Sequence, residues 1–202
     1  MSKPVIYLGP SLDLRTAKST LDATYLPPIK RGDLAKLGAE IDTVGIVDGE
    51  FFQSLSVSTM EILPLLDRGV QIYGASSIGA LRAVETEMFG MVGVGEIFAW
   101  FRDSVVEADD EVALAYDPGT FRPCSEPLIN IRFALQEAAR ERIVDDWTAN
   151  CIIEEIRNIY FPFRSFHLVS RRCPKFKEFV SDRQPNRKRD DALELLHVLA
   201  NA

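Results

Sequence analysis

The chain has 202 residues, 47% of them hydrophobic and 26% charged, with a formal net charge of −7, enough for one domain with a sizeable core and an appendage. No apolar run approaches the ~18 residues of a membrane span, and the opening MSKPVIYLG lacks the long apolar stretch of a secretory signal, so a cytoplasmic protein without membrane attachment is expected. Cys124, Cys151 and Cys173 form no C-x-x-C pair, and His167 and His197 are the only histidines, which argues against a disulfide frame and against a metal site.

PVIYLG (residues 4–9) is a short apolar run closed by Gly9-Pro10 and predicts a first strand. LDLRTAKSTLD follows with helix-compatible spacing, and TYLPP predicts a second strand stopped by Pro27-Pro28. DTVGIVDG (42–49) is β-branched and predicts a third, ending at Asp48-Gly49. VSTMEILPLLDRG (57–69) has helical spacing at Val57, Met60, Ile62, Leu65 and Leu66, with Pro64 marking a kink or a late start. VQIYGA (70–75) is the next strand and a helix over 78–88 follows. GMVGVG (90–95) comes after a helix rather than a strand, so it fails the context of a dinucleotide fingerprint and reads as a helix–helix turn. EVALAY (111–116) predicts one more strand, with helices near 126–140 and 145–160. RQPNRKRDD (183–191) reads as a flexible linker before a last amphipathic turn or two, ALELLHVLA. This alternation predicts an α/β fold: an open, mostly parallel sheet flanked by helices, Rossmann-like in layout, with a mainly helical C-terminal part. The phosphate-cradling G-x-x-x-x-G-K-[ST] sequence is absent, and no cofactor is expected.

The net charge hides an asymmetry. Residues 164–189 hold nine Lys/Arg against two Asp/Glu, whereas the rest of the chain carries 14 basic and 28 acidic residues. Such a basic segment either docks an acidic partner or folds back on its own acidic body.

In open α/β sheets ligands gather at the carboxyl ends of the strands. Three predicted strand ends carry chemistry: Gly9-Pro10-Ser11, Asp48-Gly49 and Ala75-Ser76-Ser77. Ser77 has small residues two before it and two after it, Ala75 and Gly79, the spacing of a strand-to-helix elbow that presents a nucleophile. A serine there sits at a helix N-terminus, whose free N–H groups and dipole can hold an oxyanion. Asp48 is the candidate for activating the hydroxyl, and Gly49 is suited to offering a backbone N–H. The competing reading is that the serine is only an N-cap. Arg82 either pairs with Glu85 on the helix surface or holds an anion. Asp109-Asp110-Glu111 is a solvated turn or, more sharply, a site lining or partner contact, with Asp110 and Glu111 as the candidate residues.

The series VDGEF (47–51), VSTMEIL (57–63), GASSIGALRAVE (74–85), FGMVGVGEIF (89–98), DDEVAL (109–114) and SEPLINIR (125–132) resembles the TfuA-like family, over residues 3–160. Ile78 replaces the methionine common in the family's GASSMGALRA form. The resemblance implies a partnership with a YcaO protein in peptide-backbone thioamidation, a step in making ribosomal peptide natural products. It implies release of sulfide from a thiocarboxylated sulfur-carrier protein; joined to the elbow reading, this makes Ser77 the expected nucleophile with Asp48 assisting. Gly9, Pro10, Gly49, Ser76, Gly79, Arg82, Asp110 and Glu111 would then line the substrate. A non-catalytic adaptor that binds YcaO or the precursor peptide is the alternative, and a general small-molecule esterase a third reading. The partners expected are the YcaO protein, the carrier and the precursor peptide, without membrane or nucleic acid. The chain is expected to divide into an α/β domain over 1–163 and a basic extension over 164–202 with a short terminal helix.

Overall fold

A computed structural model describes residues 2–51 and 55–202. Two compact units emerge, one made of residues up to Glu107 together with Lys188–Ala202, the other of Ala108–Arg187. Residues 164–187 thus belong to the second unit and 188–202 to the first.

The first unit is an all-parallel sheet of β1 (Val5–Tyr7), β2 (Thr24–Leu26), β3 (Thr43–Ile46), β4 (Gln71–Ala75) and β5 (Val92–Val94), in the order β2-β1-β3-β4-β5. Helix α1 (Leu14–Thr20) links β1 to β2, α2 (Thr59–Asp67) leads from β3 to β4, α3 (Ile78–Thr86) joins β4 to β5, and α4 (Glu96–Arg102) follows. Local chemistry explains the helix starts. Asp13 caps α1 by accepting from the Thr16 N–H, and Ser58 with Glu61 forms a reciprocal capping box on α2. Pro64 is accommodated inside α2. The α/β fold expected from the sequence is the fold observed.

The last helix of this unit, α9 (Arg187–Ala200), lies on the sheet. Its Ala192, Leu195, Leu196 and Leu199 join Ile6, Leu8, Leu12, Ala17, Val47, Ala75 and Val94 in one buried core. Gly45 in β3 leaves room for this packing: a Cβ there would stand 2.7 Å from the Ile6 methyl and 3.1 Å from the Leu195 methyl.

Three local expectations are corrected. GMVGVG contains β5, an edge strand bounded by Gly90 and Gly95 at φ 105° and 90°; the left-handed glycines let the chain enter and leave a three-residue strand. EVALAY is no strand: Asp109–Glu111 is a 3₁₀ turn, and Tyr116 makes only an isolated bridge to Pro123. Glu111, Val112 and Ala113 are all buried in succession, so the period-2 alternation of a half-buried strand is missing. The linker read over 183–191 shrinks to residues 184–186: α8 (Pro174–Arg183) ends with Gln184 in the left-handed conformation, and α9 begins three residues later.

The second unit packs α5 (Leu128–Arg140), α6 (Asp146–Arg157), α7 (Phe166–Arg172) and α8 around Ile131, Leu135, Ile152, Ile156, Val169 and Phe176. Arg164 is fully buried and tethers this unit by donating to the Asp110 carboxylate at 2.5 Å and to the carbonyls of Asp110, Arg157 and Ile159. Much of the basic segment's charge is therefore consumed internally. Arg172 pairs with Glu155, Arg183 with Glu141, and Arg187 stacks on Phe133.

Candidate active site

The chain leaves β1 toward β2 on one side and returns to β3 on the other, so the crevice between the carboxyl ends of β1 and β3 is a topological switch point. Gly9-Pro10-Ser11 follows β1, and Asp48 follows β3. Asp48 is held by its own N–H, which donates to the Tyr7 carbonyl at 3.2 Å, and its side chain is buried. Its Oδ2 accepts the N–H groups of Gly9 at 2.9 Å and Ser11 at 3.0 Å, and its Oδ1 accepts the Ser11 hydroxyl at 2.6 Å. A Cβ on Gly9 would collide with Pro28 at 2.4 Å, so only glycine lets the loop run between Pro28 and Asp48.

The turn from β4 into α3 is the sharp elbow. Ser76 has φ 67°, an uncommon left-handed conformation for a residue with a side chain. Its hydroxyl donates to Ser11 Oγ at 2.9 Å. Ser77 occupies the N-cap position of α3, yet its side chain makes no capping hydrogen bond. Instead Ser77 Oγ accepts from the Lys188 ammonium at 3.0 Å, and Lys188 Nζ lies 3.9 Å from Asp48 Oδ1. Ser77 and Lys188 are each 2% exposed.

Lys188 reaches this point because α9 lies on the sheet. Residues 188, 191, 192, 195, 196 and 199 are the buried positions of α9, one stripe at helical spacing. Lys188 and Asp191 form its polar end. Asp191 Oδ2 accepts the Ile97 N–H at 2.7 Å, which ties α9 to the start of α4. Gly95 is required there, since a Cβ would stand 2.4 Å from the Asp191 carboxyl carbon.

The glycines of the elbow allow a close approach. A Cβ on Gly79 would lie 1.7 Å from the Ile46 carbonyl oxygen, and one on Gly74 would lie 2.1 Å from the Gly79 oxygen. Gly49 abuts Ile78, the residue after Ser77, where a Cβ would meet the Ile78 methyl at 2.6 Å. The structure thus brings Gly9, Asp48, Gly49, Ser76, Ser77 and Gly79 together, with Pro10 in the intervening turn. Arg82 pairs with Glu85 along α3. Asp110 and Glu111 belong to the second unit, where Asp110 pairs with Arg164 and buried Glu111 with Arg132 at 2.7 Å. Sequence reasoning missed Lys188, and Ser11 was seen only as part of a loop. The signal for Lys188 was available: the stripe Ala192-Leu195-Leu196-Leu199, extended backwards by helical spacing, runs through Asp191 to Lys188.

Among the described residues no cluster of three or more His, Cys, Asp or Glu is arranged to hold a metal ion. No helix among them is long and apolar enough to cross a membrane.

The model of one family, described as TfuA-like protein, matches residues 48–165, which begins at Asp48 and takes in the elbow. The chain belongs to the TfuA-like family. The match ends before Lys188, so the TfuA-like segment supplies Asp48, Ser76 and Ser77, and the flanking segments supply Ser11 and Lys188 to the same cluster. A comparison with curated proteins finds no match. Membership links this TfuA-like chain to peptide-backbone thioamidation.

Proposed function

We propose that this protein hydrolyses the thiocarboxylate of a sulfur-carrier protein and so releases sulfide for a YcaO partner. The observation that carries the reading is the contact of Lys188 Nζ with Ser77 Oγ at 3.0 Å. A buried serine whose hydroxyl is not used as a helix cap, and which faces a lysine instead, has a nucleophile and a proton carrier in contact. The elbow presents that oxygen at the N-terminus of α3, where the helix dipole favours developing negative charge.

In this reading Ser77 Oγ attacks the carbonyl carbon of the thiocarboxylate, the carbon–sulfur bond breaks, and hydrosulfide leaves. Water then cleaves the acyl-serine: one of its protons restores the Ser77 hydroxyl, the other passes to solvent, and the carrier's carboxylate is released. Lys188 relays the serine proton to the leaving sulfur in the first half and a water proton to Ser77 Oγ in the second. Asp48 holds the lysine, Ser76 shapes the elbow, and Gly9, Pro10, Gly49 and Gly79 form the walls that let the loops converge.

The test is incubation of the purified protein with a thiocarboxylated carrier, without YcaO, following carrier mass and free sulfide. Exchange of sulfur for oxygen in the carrier, abolished in Ser77→Ala and retained in Ser76→Ala, is the expected result. An unchanged carrier together with intact binding to YcaO or the precursor peptide would make the protein an adaptor instead.

A further inference from the structure

We infer that Asp48 makes this site selective for acyl groups that arrive as anions, by holding Lys188 as an ammonium ion. This rests on the hydrolase reading above and specifies the charge its substrate must bring.

The hydrogen-bond directions are forced from one end. Asp48 receives two backbone N–H groups and the Ser11 hydroxyl, a set made only of donors, which suits an ionised carboxylate. Because Ser11 spends its proton on Asp48, it can only accept from Ser76, and Ser76 must donate. The Ser76 hydroxyl is thereby committed to the Asp48 chain. Ser77 is the serine of the pair that faces the amine.

Lys188 and Asp48 side chains are each 2% exposed, with nitrogen and oxygen 3.9 Å apart. Water screens such a pair poorly, and a neutral lysine would leave the carboxylate without this counter-charge. The resting lysine is thus an ammonium, with three donors and no lone pair. It hydrogen-bonds Ser77 but cannot by itself remove the serine proton.

An anionic thiocarboxylate meets both conditions. Its charge is attracted to the ammonium, and its sulfur can take a proton from Nζ as Nζ takes the one from Ser77. The carbon–sulfur bond breaks as the oxygen–carbon bond forms. The sum is thiocarboxylate anion plus serine hydroxyl giving acyl-serine plus hydrosulfide, with the lysine unchanged in charge. A neutral ester brings no charge to the ammonium, and its leaving oxygen is basic only after the bond has begun to break.

The test uses the full chain and needs no partner enzyme. Wild type and Asp48→Asn are offered a peptide ending in a thiocarboxylate and the same peptide as its methyl ester. Separately, each protein is treated with a fluorophosphonate and the Ser77 adduct is followed by intact mass. In a single turnover, the thiocarboxylate is expected to acylate wild-type Ser77 about 10²-fold or more faster than the ester does. Asp48→Asn shifts this preference toward the ester, and its Ser77 is labelled faster than that of wild type. Equal rates of acylation of wild type by both substrates, or loss of both by the same factor in Asp48→Asn, overturn the inference. If wild type touches neither substrate, the hydrolase reading fails and labelling decides alone: faster labelling of Asp48→Asn sustains the hold of Asp48 on Lys188, and equal or slower labelling overturns it. If Asp48→Asn does not fold, the wild-type ratio of the two substrates decides.

Discussion

Replacing Lys188 by methionine keeps the side chain long and apolar and removes its charge. Lys188 and Asp48 side chains are each 2% exposed, and removing one partner of a buried pair costs about 3–5 kcal/mol because the other charge stays behind. Asp48 retains the Gly9, Ser11 and Ser11 hydroxyl donors, which places the cost at the lower end, about 3 kcal/mol. For a chain of 202 residues, at about 2–4 °C per kcal/mol, the melting temperature should fall by about 6–12 °C. Turnover should fall by about 10⁴, as when one member of a unit of nucleophile and proton carrier is lost. Ser77→Ala should match that loss in rate with a smaller loss in stability, about 1.5–3 kcal/mol, because the ammonium keeps Asp48 beside it and loses one hydrogen-bond acceptor. The double variant should turn over no more slowly than either single one. The assay is sulfide release from a carrier thiocarboxylate well below both midpoints, with thermal unfolding alongside. A folded Lys188→Met protein with turnover within about tenfold of wild type would refute the lysine's role, and an unchanged melting temperature would refute the buried pair.

Gly79→Ala would ordinarily favour a helix by about 1 kcal/mol, yet here the new Cβ would stand 1.7 Å from the Ile46 carbonyl oxygen. A net destabilisation of about 3 kcal/mol is expected in urea unfolding, together with loss of activity as α3 retreats; a stabilised variant would contradict the elbow's geometry. Leu195→Ala opens the core between α9 and β3 and should cost about 2–5 kcal/mol, lowering sulfide release through displacement of Lys188 from Ser77. The Tyr7 phenol is pushed up to about 12, first by burial and then by the nearby Asp33 carboxylate. Because the folded state keeps the proton longer than the unfolded chain, this contribution is present below about pH 10 and is lost as pH rises toward about 12. Melting temperatures across that window should decline more steeply for wild type than for Tyr7→Phe.

The local pattern of the sequence determined the strands at 4–9, 42–49 and 70–75, the elbow at Ser76-Ser77, and hence the parallel α/β order, because pleat, turn and cap preferences act over a few neighbouring residues. Family membership was legible for the same reason, since its most distinctive block, GASSIGALRAVE, is contiguous. What lay outside local reach was decided by burial. Val92–Val94 becomes a strand because β4 offers it an edge, and Glu111 is buried because Arg132 meets it. Lys188 stands 111 residues from Ser77, in a run of charge that reads as solvated linker by composition. Only the packing of α9 across the sheet makes its first turn part of the core. A buried lysine is tolerable only where a carboxylate and a hydroxyl are already waiting, and that pairing exists in three dimensions alone.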